Sequence, residues 1–144
     1  MTMNYLLDTC IIVSALRSKQ GASYQLVRQA VQGELPIVMD FKLLAEYRDV
    51  LMRPEMLQAL VFEPAEIEMI LARLVMIAKE SRITFLWRPN LQNEGDNYLV
   101  EIAVAMQPCT LVTHNLKDFQ QAELLFPHVM VKRPQQVLQE RRNE

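Results

Sequence analysis

Four acidic residues of this 144-residue chain stand where oxygen ligands are useful. Asp8 interrupts the apolar run "YLLDTCII", and Glu46 lies in "LLAEYRDVL", an otherwise apolar-faced stretch. Asp96 opens "DNYLVEIAVAMQ" after a polar loop, and Asp118 follows "CTLVT". An unpaired buried carboxylate is costly, so Asp8 needs a partner, a metal ion or a place at the open end of a strand. Taken singly, three of them have a plain explanation: Asp8 and Asp96 as helix caps, Glu46 as a solvated helix residue near Arg48. Together they span more than a hundred residues yet fall where a parallel fold can bring them to one edge. Such a cluster repels itself unless neutralised, and an all-oxygen cluster suits Mg²⁺ or Mn²⁺. A metal held this way keeps several waters, one of which can become a nucleophile while the metal neutralises a phosphodiester. The chemistry is phosphodiester hydrolysis.

The elements that must position these acids alternate in type. Residues 4–8 form a short apolar strand running directly into a helix at "IIVSALRS", with Asp8 at the join. "ASYQLVRQAVQ" has helical apolar spacing through Leu26, Val27, Ala30 and Val31, and Gly33 is its stop. "LPIVMD" reads as a second strand ending at Asp40. The helix after it carries Leu43, Leu44, Tyr47 and Leu51 as an apolar stripe and is limited by Pro54. A third long helix opens at Pro64 and runs through "AEIEMILARLVMIAKES", with Lys79 and Arg82 expected in its last turn. "ITFLW" reads as a strand, "RPNLQNEG" as a loop, "DNYLVEIAVAMQ" as a helix and "CTLVT" as a strand. "HVMVK" is a last strand before a terminal helix opened by Pro134. Strands alternating with helices imply an α/β fold, a central, mainly parallel sheet between helical layers. In such sheets ligands gather beyond the carboxyl ends of the strands.

The chain's length suffices for one core without disulfides or structural metal, so a single domain over 1–144 is expected. It is 51% hydrophobic, but no apolar stretch reaches membrane-spanning length. The start carries no signal-peptide pattern, which points to the cytoplasm. Cys10 and Cys109 lack CxxC spacing and read as reduced thiols in apolar surroundings. A net charge of −2 provides no global attraction to nucleic acid, although a local basic patch can.

Four segments, "YLLDTCIIVSAL", "LLAEYRDVL", "GDNYLVEIAVA" and "LVTHNLKDF", resemble the successive motifs of PIN-domain ribonucleases, particularly the VapC-like toxins. The resemblance covers nearly the whole chain and implies a single PIN domain with a three-layer α/β/α sandwich. It implies a Mg²⁺- or Mn²⁺-dependent endoribonuclease with Asp8, Glu46 and Asp96 as catalytic, metal-holding acids. It also implies the toxin role of a toxin-antitoxin pair, an antitoxin partner and a homodimer. In the fourth motif this sequence departs from many relatives. "VTHN" places Asn115 where an aspartate is usual, and an amide donates a neutral oxygen but removes one charge. Either Asn115 or Asp118 completes the site.

Around these, Thr9 and Thr113 can support the carboxylates, and Lys117, Lys132 and Arg133 can contact RNA phosphates. The basic end continues with Arg141 and Arg142. Glu101 lies near ~140° from Asp96 around the helix, which suggests a peripheral role or a surface ion pair. His114 adjoins the site and suits a loop or RNA contact better than general-base catalysis. Trp87 reads as core. A second reading is a catalytically weakened PIN domain that binds RNA or protein, motivated by Asn115. A third, a phosphoacceptor signalling domain, needs an acidic pair near the first strand, and "YLLDTC" has one acid only.

Overall fold

The computed structural model describes residues 2–81 and 94–142, residues 94–97 by backbone alone. Strand β1 (Asn4–Leu7) is buried along its length and runs through Asp8 into helix α1 (Thr9–Arg17). The apolar positions of α1 fall on one face, so Ile11, Ile12, Ala15 and Leu16 are buried together. Helix α2 (Ala22–Val31) follows, and Gly33 takes the positive φ of +79° that lets the chain turn back toward the sheet. Strand β2 (Val38–Met39) leads through Asp40 into α3 (Phe41–Leu51), which buries Leu43, Tyr47 and Leu51 at four-residue intervals.

The short helix α4 (Pro54–Leu57) begins at the proline expected to limit α3. Helix α5 (Pro64–Ile77) starts with Pro64 at its first position and a reciprocal capping box between Glu63 and Glu66. It stops earlier than the periodicity suggests. Ala78 is extended, and Lys79, expected in the last helical turn, lies instead in strand β3 (Lys79–Glu80). The cause is tertiary: the amides of Lys79 and Ser81 bond to the carbonyls of Ile37 and Met39 at 2.9 and 2.8 Å. Arg82, the expected "ITFLW" strand, Trp87 and most of the following loop lie outside the described residues.

Helix α6 (Glu94–Ala105) places Asp96 in its first turn, as expected. Then come β4 (Cys109–Val112), a 3-10 turn (Leu116–Phe119), α7 (Gln120–Leu125), β5 (Val129–Lys132) and α8 (Pro134–Arg142). Among the described residues all strand pairs are parallel. β1 pairs with β4 and β4 with β5, while β2 pairs with β3 and meets β1 through a bridge between Tyr5 and Ile37. The lateral order is therefore β3, β2, β1, β4, β5.

This order decides where a ligand can sit. From β1 the chain moves outward to β2 and β3, then returns to β4 and moves the other way to β5. Right-handed crossovers in opposite directions put their helices on opposite faces, giving the α/β/α arrangement. The reversal falls between β1 and β4, and a crevice opens outside the carboxyl ends of strands at such a point. Asp8 and Thr113 are the residues that follow those two strand ends.

Candidate active site

Asp8 occupies the N-cap position of α1 with extended backbone (φ −61°, ψ 150°), yet its carboxylate makes no capping bond to that helix. Capping therefore does not explain it. Instead its Oδ2 accepts the hydroxyl of Thr113 at 2.8 Å, while its own amide donates to the carbonyl of Val112 at 3.0 Å. Thr113 is fully buried (0% exposed) at the end of β4. Its oxygen also accepts the amide of Asn115 at 3.1 Å and lies 3.8 Å from Cys10 Sγ. Burial and the neighbouring Asp8 charge push the Cys10 thiol up to about 11, so it stays protonated beside the threonine.

Glu46 joins this group from α3. It is exposed, and its Oε2 accepts the hydroxyl of Thr9, the residue after Asp8. Arg48 pairs with Glu68 at 2.8 Å, so the plain pairing of Glu46 near Arg48 is not made. Among the described residues neither Asp8 nor Glu46 meets a lysine or arginine at ion-pair distance. Asp8 and Glu46 thus each accept a threonine hydroxyl, from Thr113 and from Thr9 beside Asp8. Among the described residues no third His, Cys, Asp or Glu completes a group of three with them, and the side chain of Asp96 is not among those residues.

The fourth segment divides its candidates. Asn115 is exposed, and its amide bond to Thr113 places it one step from the Asp8 carboxylate. Asp118 is exposed in the 3-10 turn, where its amide bonds to the carbonyl of Asn115 at 3.1 Å. Lys117 is exposed in the same turn. His114 faces α1 and shares a 3.1 Å hydrogen bond with Ser14.

Glu101, expected at the periphery or in a surface ion pair, is instead buried (6% exposed) in α6, because its helix packs on β4 and β1. Lys132, at the end of β5, contacts both carboxylate oxygens of Glu140 at 2.8 and 2.7 Å. Arg133 is exposed at the start of α8. Arg141 is no free tail: it donates to Glu34 and Gln29 and stacks 5.6 Å from the Tyr5 ring, docking α8 on α2. Arg142 reaches Gln25.

Two features escaped the sequence. Asp40 caps α3 through Leu43 N at 2.9 Å and accepts the hydroxyl of Tyr98, whose ring lies 4.3 Å beneath Lys42 Nζ. Tyr47, read as one member of an apolar stripe, donates its hydroxyl to the carbonyl of Leu7. The available signal was a phenol in a stripe that otherwise uses leucine.

An α/β fold with acids gathered at the switch point of a parallel sheet defines the class. The PIN domain family profile matches residues 4–117, and the chain belongs to that family. Among solved structures it is similar to a chain of VapBC2 from Rickettsia felis bound to a DNA fragment from their promoter. The TM-score is 0.58 and the identity 18%, over 91% of this chain and 98% of that one. No curated protein matches the sequence.

Proposed function

We propose that this chain is a divalent-metal-dependent endoribonuclease, the toxin of a toxin-antitoxin pair acting in the cytoplasm. The observation that carries this is Asp8: in a capping slot it leaves the cap unmade, the buried Thr113 binds its carboxylate, and Glu46 bonds to Thr9, the next residue. The donor set fits a hard cation, because the converging side chains offer carboxylate and hydroxyl oxygens. Asp8, Glu46 and Asp96 would hold Mg²⁺ or Mn²⁺, with Asn115 or Asp118 completing the set. The bound metal would supply Lewis acidity toward the phosphodiester and the attacking water.

The chain's own residues do the positioning. Thr113 and Thr9 orient the two carboxylates, and such partners tune metal affinity by roughly 10–100-fold. Lys117, exposed in the turn after Asn115, is the cation nearest in sequence to the site and suits an RNA phosphate. Lys132 and Arg133 extend that contact, Lys132 in competition with Glu140. The likeness to a VapBC2 chain supports an antitoxin partner, and the resemblance to the VapC-like toxins supports a homodimer. No helix among the described residues is long and apolar enough to cross a membrane.

The test is cleavage of mixed RNA pools by purified protein in Mg²⁺, Mn²⁺ or EDTA, beside Asp8→Asn and Asp96→Asn. Metal-dependent cutting lost in both variants is the expected result. No cutting by folded wild type across several pools would replace this reading with the binding module.

A further inference from the structure

Tyr47 is fully buried (1% exposed), whereas Glu46, its neighbour on α3, is exposed. Successive helical residues point ~100° apart, so one turn of α3 presents a carboxylate on one side and a phenol on the other. Both land on the same three residues of the sheet edge. The Tyr47 hydroxyl donates to the carbonyl of Leu7, and Glu46 accepts the hydroxyl of Thr9. Asp8 stands between these two contacts. From its other side, β4 holds it through Val112 and Thr113.

We infer that Tyr47 is a positioning residue of this site, whose hydroxyl, bonded to the Leu7 carbonyl, fixes where the Asp8 carboxylate stands relative to Glu46. The inference rests on the metal-site reading above. Packing alone does not call for the hydroxyl, since a phenylalanine fills the same stripe between Leu43 and Leu51, and a buried hydroxyl needs a partner to be tolerated. Its partner is the last carbonyl of β1, one residue before Asp8. A phenol bonded to a backbone carbonyl suits a fixed strut rather than an acid or base.

The experiment uses full-length wild type, Tyr47→Phe and, as a destabilised control away from the site, Leu138→Ala in α8. Amide hydrogen exchange is followed without metal at Asp8 and Ile11, whose amides bond to Val112 and to Asp8. Cys109, bonded to His128 at the opposite end of the sheet, is the reference. Mn²⁺ affinity is then measured by titration calorimetry. Tyr47→Phe is expected to speed exchange at Asp8 and Ile11 about tenfold relative to Cys109, and to weaken Mn²⁺ binding about tenfold. Leu138→Ala is expected to change neither ratio nor affinity.

Unchanged relative exchange in Tyr47→Phe overturns the inference whether or not metal binds. Faster exchange with unchanged Mn²⁺ affinity overturns it too, because the strand end then moves without moving the carboxylates. A wild type that binds no Mn²⁺ defeats the metal reading instead, and the exchange ratio still decides the strut. If Tyr47→Phe does not fold, the wild-type hydroxyl proton is sought by NMR. A slowly exchanging resonance close to the Leu7–Asp8 backbone supports the strut, and its absence overturns it.

Discussion

Two strand-to-helix junctions of this protein use the same residue in the same local slot and put it to opposite use. At the end of β2, Asp40 has extended backbone and caps α3 through Leu43, and its second oxygen takes the hydroxyl of Tyr98. At the end of β1, Asp8 also precedes a helix with extended backbone, but caps nothing and turns to Thr113. The difference comes from the neighbouring strand. β4 runs beside β1 in register up to Val112 and delivers Thr113 to the Asp8 carboxylate, while Asp40, after β2, meets Leu43 of its own helix and Tyr98 of α6. An aspartate that caps is committed to its own helix. One held by another strand is not.

The largest expected effect breaks the comparison at its functional end. Asp8→Asn should reduce metal-dependent RNA cleavage to background, whereas Asp40→Asn, which can still cap, should leave it largely intact. Side-by-side gel assays of both variants decide. If the two behave alike, the junctions do not differ in function.

Metal addition gives the next effect. Saturating Mn²⁺ at about 100 times its Kd stabilises a binding-competent protein by about 2.7 kcal/mol. For a chain of this size that is a rise in Tm of roughly 5–10 °C. The shift should vanish on EDTA addition and in Asp8→Asn, and survive in Asp40→Asn. A scanning fluorimetry series measures it.

Thr113→Val sharpens the contrast from the other side of Asp8. It keeps the shape but strands the Asn115 amide and frees the Asp8 carboxylate. Stability should fall by about 1–3 kcal/mol and metal affinity by roughly 10–100-fold. Urea titration and calorimetry separate the two losses. Asp40→Ala should lose about 1 kcal/mol through its missing cap, with cleavage retained, and the matching loss is not expected of Asp8→Ala, which has no cap to lose.

The smallest effect concerns the thiol beside Asp8. With its pKa near 11, Cys10 should alkylate with iodoacetamide at pH 8 far more slowly than a free cysteine, by roughly two orders of magnitude. Mass spectrometry of the labelled peptide reads it.

Much of the scaffold could be read directly. The apolar intervals of α1, α2 and α3, the proline starts of α5 and α8, and Gly33 after α2 all report local geometry, which residue type and spacing encode. Where a long-range strand pairing competed, the local signal lost. Lys79 belongs to a helical pattern by spacing and to β3 by its bond to Ile37. Glu101 looked peripheral by helical angle and is buried because α6 lies on the sheet.

The sequence by itself determined which residues carry charge, where helices can start and stop, and that an acid ends the first strand, because these follow from side-chain chemistry and short-range backbone preference. Only the tertiary structure decided that Asp8 meets Thr113 rather than its own helix, that Glu46 reaches Thr9, and that Tyr47 holds Leu7. Those contacts join residues 37 to 105 positions apart. No local rule specifies them; they arise when parallel strand register and helix packing bring distant segments to one sheet edge.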